Sequence, residues 1–290
     1  EHLSGDKSSY GFGVAYPNDL VDVNFSSTRI GDGFDPSLSF VSRKGVDIWN
    51  LDAIFNPRPT WPGVRQITQE TNFKLFNTPN NSSWTSYELS ARPLDVLFED
   101  GDNLEFAVEP QGDRPTDTFS ISDGVDLPPG SYEWTRFLVG AHAAPRRRVS
   151  GDLTLEAGDY YNGDLTTLTA GLTLRSSFVS LEGSFERSTG TLTTVTDVAG
   201  RDAFVVKRIK EALIGVRIAF NASPDLQLTS FTQYDTDSRE LGSNNRLRWT
   251  FASQGDLFVV YNHNLTRKPD NSWQFLSSEL PVKLQYTWRF

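Results

Sequence analysis

Apolar and polar residues alternate along nearly the whole chain. In the stretch 280–290, Leu280, Val282, Leu284, Tyr286, Trp288 and Phe290 are apolar, while Lys283, Gln285, Thr287 and Arg289 between them are polar. A period of two is the pattern of a strand with one apolar face, because successive side chains point to opposite sides of the pleat. The design recurs at Phe12, Val14 and Tyr16, at Val21, Val23 and Phe25, at Trp49, Leu51, Ala53 and Phe55, and at Tyr87, Leu89 and Ala91. It continues through 104–108, 137–143, 153–157, 168–174, 179–185 and 247–251. Only 203–220 offers a competing helix, since 207–213 is charged and rich in helix formers. Ala212, Ile214, Val216, Ile218 and Phe220 nevertheless keep strict alternation, which predicts a strand.

Turn residues punctuate these runs at 17–19, 57–63, 99–103, 145–150, 221–225 and 253–256, and longer connections are expected at 31–45, 112–130, 189–202 and 265–278. The segment 112–130 is rich in Asp and Pro and reads as an exposed loop. Its Asp113, Asp117, Asp123 and Asp126 could supply oxygens to a calcium ion, but their spacing is not that of an EF-hand, and a solvated loop is the favoured reading.

Alternating strands of about ten residues, joined by connections that alternate between short and long, predict an all-β chain folded as an antiparallel transmembrane β-barrel. About fifteen strands are visible, and an even count requires at least sixteen in the complete barrel. On that reading residues 1–290 are the C-terminal part of one barrel whose N-terminal strands lie before Glu1. The absence of Met and of a charged-then-apolar leader agrees with a missing N-terminus.

Composition changes this picture little. Apolar residues make up 37% and no run approaches the roughly 20 residues of a spanning helix, which a barrel does not need. With 20 Phe, 9 Tyr and 7 Trp the chain suits strands and aromatic girdles. Cysteine is absent, and His2, His142 and His263 are far apart, so thiolate chemistry is excluded and a His-based metal site or triad has thin material. No cofactor, catalytic residue or metal site is expected, and the chain is not read as an enzyme. A formal charge of −10 argues against nucleic acid as a partner.

If the apolar rows face lipid, the barrel interior receives the polar rows. The lumen-facing candidates are Asp52, Glu70, Lys74, Glu88, Asp152, Glu156, Arg175, Glu182, Arg217, Arg246, Arg248, Lys283 and Arg289. Carboxylates gather mid-chain and cations in the last third, so a field across a pore would orient polar solutes. The alternative is that these groups pair with one another and fill the interior.

The terminal aromatic set Tyr286, Trp288 and Phe290 resembles the C-terminal assembly signal of Gram-negative outer-membrane barrels. Three stretches, 16–19 (Tyr-Pro-Asn-Asp), 34–45 (Phe-Asp-Pro-Ser-Leu-Ser-Phe-Val-Ser-Arg-Lys-Gly) and 244–263, resemble the uncharacterised barrel domain that follows a family-9 carbohydrate-binding-like module in such bacteria. The resemblance implies an outer-membrane location, with lipid and the barrel-assembly machinery as partners. It also implies a polar solute or a partner protein as cargo, saccharide being one candidate. The expected function is passage or uptake of that solute; the second reading is a plugged anchor barrel holding a periplasmic or surface module.

Overall fold

The computed structural model describes residues 5–36, 40–79, 83–122, 124–197 and 202–288. These residues form 18 strands, β1 (Ser9–Tyr16), β2 (Val21–Ile30), β3 (Val46–Phe55), β4 (Val64–Asn77), β5 (Trp84–Phe98) and β6 (Asn103–Asp113) being the first six. A short hairpin, β7 (Phe119–Ser122) and β8 (Val125–Leu127), precedes β9 (Tyr132–His142), β10 (Val149–Tyr160), β11 (Gly163–Arg175) and β12 (Val179–Asp197). Then come β13 (Asp202–Ser223), β14 (Leu226–Asp235), β15 (Glu240–Ala252), β16 (Gly255–Arg267), β17 (Trp273–Glu279) and β18 (Val282–Tyr286). The competing helix at 203–220 does not form.

Neighbours in sequence are neighbours in the main sheet, in the order β1 to β6 and then β9 to β17, while β18 pairs with β16 beside β17 and β7–β8 form a separate sheet. The pairings, such as β1 with β2 and β15 with β16, are antiparallel. The order is open. β1 stands at one end and β17 at the other, and among the described residues the two do not pair, so this sheet does not close.

That finding overturns the expected transmembrane barrel. Alternation fixes which face each side chain takes, but it is identical in an open sheet and a closed one; closure is a matter of tilt, stagger and pairing of the end strands. With closure go the readings that depended on it: passage or uptake through a lumen, the plugged anchor barrel, an outer-membrane location, and lipid and the assembly machinery as partners. The terminal segment 280–290 is also shorter than expected as a strand. Pro281 has no N–H to give, β18 begins only at Val282, and the Pro281 carbonyl accepts from Val260 N at 3.0 Å. Tyr286 ends β18 and packs on Phe251 and Trp288, at 6.5 and 4.9 Å between ring centroids; Arg289 and Phe290 lie outside the described residues.

Three expected loops carry strands; within 265–278 β16 runs on to Arg267 and β17 begins at Trp273. Within 112–130 the β7–β8 hairpin carries buried Val125 and Leu127. Within 189–202 β12 runs on to Asp197, with Leu192 and Thr194 buried.

The chain divides into two compact units, residues 1–140, 156–166 and 190–208, and residues 141–155, 167–189 and 209–290. In the first, the fully buried groups collect where the hairpin meets strand residues: Leu127, Leu192 and Thr194 have almost no exposure, and Trp134 and Arg136 are buried. In the second, Ala144, Ser150, Ile209, Gly215 and Gly255 are the buried positions among the described residues. Along β9 the contrast between faces is clear, since Trp134, Arg136 and Gly140 are buried while Phe137 and Val139 on the opposite face are exposed. The apolar rows of Ile214–Val216–Ile218–Phe220 and of Val282, Leu284 and Tyr286 are likewise exposed; Gly215 between the first is buried, while Lys283 and Gln285 between the second are exposed too.

Cross-strand pairs also fix register. Arg29 and Asp47 face each other across β2 and β3, with Arg29 Nε and Nη2 donating to the two Asp47 oxygens at 2.6 Å each. This two-pronged bond holds the Asp47 carboxyl below its ordinary range, despite some opposing burial. A lowered folded-state pKa contributes stability that is complete above the unfolded value of about 3.9 and disappears as pH falls through the folded value. Asp47→Asn is therefore expected to lower the urea midpoint at pH 7 and to flatten its fall below about pH 4. An unchanged acid limb in the variant would show that the pair contributes nothing.

Candidate ligand-binding site

Antiparallel register brings directly opposed residues to the same face. On β2 to β6 this builds two polar rungs. One runs Ser26, Asn50, Lys74, Glu88 and Gln111; the other runs Asn24, Asp52, Asn72 and Ser90. Asn50, Asp52, Asn72, Lys74, Glu88, Ser90, Glu109 and Gln111 line a recess of about 490 Å³ in the first unit. Asn50 Nδ2 donates to Ser26 Oγ at 3.2 Å and Ser90 Oγ to Glu109 Oε1 at 3.2 Å, so the rungs are braced and other donors and acceptors remain directed at the recess. Asp52, Glu88 and Glu109 against Lys74 leave the recess net negative.

Further along the same face of β6, Asp113 accepts from the Tyr161 hydroxyl at 3.4 Å. Tyr161 belongs to an aromatic cluster: it stacks on Trp134 at 4.3 Å, and Phe119, Tyr132 and Tyr160 lie 5.4, 5.5 and 5.0 Å from it. Tyr161 sits in the tight turn between β10 and β11 with φ of 49°, a left-handed conformation unfavourable for a bulky residue. Burial, with the Asp113 charge beside it, pushes its hydroxyl pKa up, so it stays a neutral donor. Asn162 of the same turn bonds the Thr193 backbone on both sides, accepting from its N–H at 3.1 Å and donating to its carbonyl at 2.7 Å.

Most of the remaining candidates are engaged by other groups, and one pair, Glu182 with Arg217, joins two of them. Glu70 lies 3.0 Å from Arg92, which also lies 3.1 Å from Glu105. Glu156 forms an ion pair with Arg136; burial raises the Glu156 carboxyl, the Arg136 charge opposes that, and Glu109 adds to it. Asp152, Glu182 and Arg217 line a smaller recess of about 390 Å³ in the second unit, with Glu182 and Arg217 at 3.7 Å. Arg175 donates to the Pro145 carbonyl, and Arg248 pairs with Asp256 at 3.3 Å. Arg246 stands opposite Thr229 and Val260, and Lys283 opposite Phe258. Of the cations expected to gather in the last third, Arg248 is offset by Asp256.

The proposed calcium ligands are also used elsewhere. Asp113 holds Tyr161, Asp117 accepts from Thr116 Oγ1 at 3.1 Å, and the Asp126 backbone bonds Thr194; Asp123 is outside the described residues. Among the described residues no group of His, Cys, Asp and Glu could hold a metal ion. Sequence reasoning missed Trp134, Arg136, Tyr160 and Tyr161. The available signal was an aromatic and an arginine standing on the polar row of β9, where small polar residues would suffice.

No family model and no characterised protein matches the chain. Among solved structures it is similar to the siderophore receptor PirA from Pseudomonas aeruginosa, at 11% identity, over 97% of this chain and 69% of that one, with a TM-score of 0.41.

Proposed function

We propose that the chain is a non-catalytic binding module for neutral polyhydroxylated compounds, oligosaccharides being the representative class. The observation that carries this reading is the in-register ladder of amides, carboxylates, a hydroxyl and an ammonium around the 490 Å³ recess. Such a set offers alternating donors and acceptors to a ring of hydroxyls, and little to an apolar ligand. The excess of carboxylates disfavours anions by like-charge repulsion.

The test is calorimetric titration with a panel of neutral gluco-, xylo- and manno-oligosaccharides, alongside glucuronic-acid oligomers. Binding is expected for at least one neutral member and not for the acidic ones. Glu88→Leu and Asn72→Leu should each weaken that binding about tenfold, the equivalent of one lost hydrogen bond of about 1.4 kcal/mol. Absence of binding across the neutral panel, or affinities untouched by both variants, would refute the assignment.

A further inference from the structure

Register builds another polar field in the second unit, on β14 to β17. One rung runs Phe231, Asn244, Asn262 and Glu279; the next runs Gln233, Gly242, Asn264 and Ser277. Their common face holds a recess of about 440 Å³, within the range of small-molecule sites. Gly242 opens its floor. A Cβ there would stand 3.3 Å from Asn264 Oδ1, so a side chain at this position would narrow the recess at its middle.

The amides of this field are oriented and only half spent. Asn244 Nδ2 donates to Asn262 Oδ1 at 2.5 Å, and Asn264 Nδ2 to Ser277 Oγ at 2.9 Å. Each side-chain amide has two donor hydrogens and one acceptor oxygen, so among the described residues Asn244 Oδ1, Asn264 Oδ1 and Asn262 Nδ2 keep capacity for a ligand. Acceptors and a donor set in a row suit hydroxyls.

The charge is one-sided. Asp235, Glu240 and Glu279 line the recess, and no lysine or arginine does. Asp235 and Glu240 stand at the end past Gln233 and Gly242, while Arg246 lies outside the lining, two residues past Asn244 toward the other end. Cations of the neighbouring strands and turns are directed elsewhere: Arg239 donates to the Lys268 carbonyl at 2.7 Å, Arg267 lies over the Trp273 ring at 5.9 Å, and Arg217 lies over the Phe231 ring at 4.9 Å and 3.7 Å from Glu182. Beyond the acidic end, burial and the charges of Asp237 and Asp235 push the Glu211 carboxyl up, with no cation to counter them. Among the described residues no group of His, Cys, Asp and Glu could hold a metal ion, so these carboxylates do not converge on one point. Separated carboxylates beside a hydroxyl-binding row match an organic cation that carries its charge and its hydroxyls on one frame.

We infer that this recess is a second binding site, for amino sugars, with ring hydroxyls on the asparagine row and the ammonium among Asp235, Glu240 and Glu279. It goes beyond the neutral-ligand recess of the first unit and rests on different residues. A linear polyamine would meet the carboxylates but leave the amide row unused.

The test titrates the full chain calorimetrically at about pH 6, where amine and carboxylates are both ionised, with the trimer of glucosamine and with its fully N-acetylated counterpart. The second keeps the rings and hydroxyls and loses the charge. The charged trimer is expected to bind about tenfold more tightly, as two exposed ion pairs would provide. Glu240→Gln combined with Glu279→Gln should abolish that preference; both side chains are exposed, so the fold, checked by far-UV circular dichroism, should persist. Asn262→Leu should weaken both trimers. Repeating the titrations in Glu88→Leu, which weakens the first recess, separates the two sites, because the preference for the charged trimer should persist there. No binding of the charged trimer, equal affinity for the two trimers in Glu88→Leu, a preference that survives the double glutamine variant, or spermidine binding as tightly as the charged trimer would overturn the inference.

Discussion

Leu127→Ala is expected to destabilise the first unit by about 2–5 kcal/mol, the range for removing a buried leucine from a site that collapses incompletely. Leu127 has no exposed surface, and its neighbours in the hairpin are fixed from both ends. Asp126 N donates to Thr194 Oγ1 at 2.8 Å, Thr194 Oγ1 donates back to the Asp126 carbonyl at 3.0 Å, and Lys207 donates to the Gly124 carbonyl. With the hairpin clamped, the space vacated by the leucine cannot readily be refilled, so the cavity cost adds to the lost transfer free energy. Leu104→Ala removes the same atoms from a position that is 47% exposed and should cost much less. Urea denaturation of both variants checks the contrast, and hydrogen exchange at the Val125 and Asp126 amides should report local release of the hairpin in Leu127→Ala. Equal midpoints for the two variants would show that the hairpin carries no core.

The hairpin also shows where sequence reading stops. The strands of the main sheet were legible because one physical rule, a side-chain period of two, is written over and over, as in Ile214, Val216, Ile218 and Phe220. Phe119, Ile121, Val125 and Leu127 obey the same rule, but in pieces of 4 and 3 residues set among Asp, Pro and Gly, and turn residues outweigh so short a signal. The end of β12 was hidden in another way, since Thr189 to Thr194 is small and polar and the one leucine, Leu192, turns out to be fully buried beside the hairpin. Closure was not legible at all. The row Leu226, Trp249, Leu257 and Leu284 lies in register on one face whether or not the sheet's ends meet.

For the candidate site, the residues that were legible are those of the polar rows: Asp52, Lys74 and Glu88 fall together in the recess as alternation and register require. Asn50, Asn72, Ser90 and Gln111 carry no charge, so alternation alone does not single them out as site residues, although they are four of the ten residues that line the recess, with Phe73 and Leu89 among the others. Which charges would be spent on one another depended on strand pairing. Glu70 meets Arg92 because Glu70 and Arg92 are register partners across β4 and β5, a relation fixed by the bulges in that pair and not by either strand alone.

Trp134→Ala should cost about 3–5 kcal/mol, and Trp134→Phe roughly half of that or less. The indole is 7% exposed, stacked on Tyr161 at 4.3 Å and met edge-on by Tyr160 at 5.8 Å, so truncation to alanine loses both its apolar burial and its ring contacts. Its Nε1–H, however, is buried without a hydrogen-bond partner among the described residues. A buried donor left unpaired contributes a desolvation penalty in the native state, and phenylalanine removes that penalty together with part of the ring. The two substitutions therefore separate packing from hydrogen bonding at one position. Urea midpoints, with near-UV circular dichroism to follow the aromatic cluster, give the comparison. A phenylalanine variant as unstable as the alanine one would show that loss of the unpaired N–H relieves no penalty and that this corner of the sheet needs the full indole.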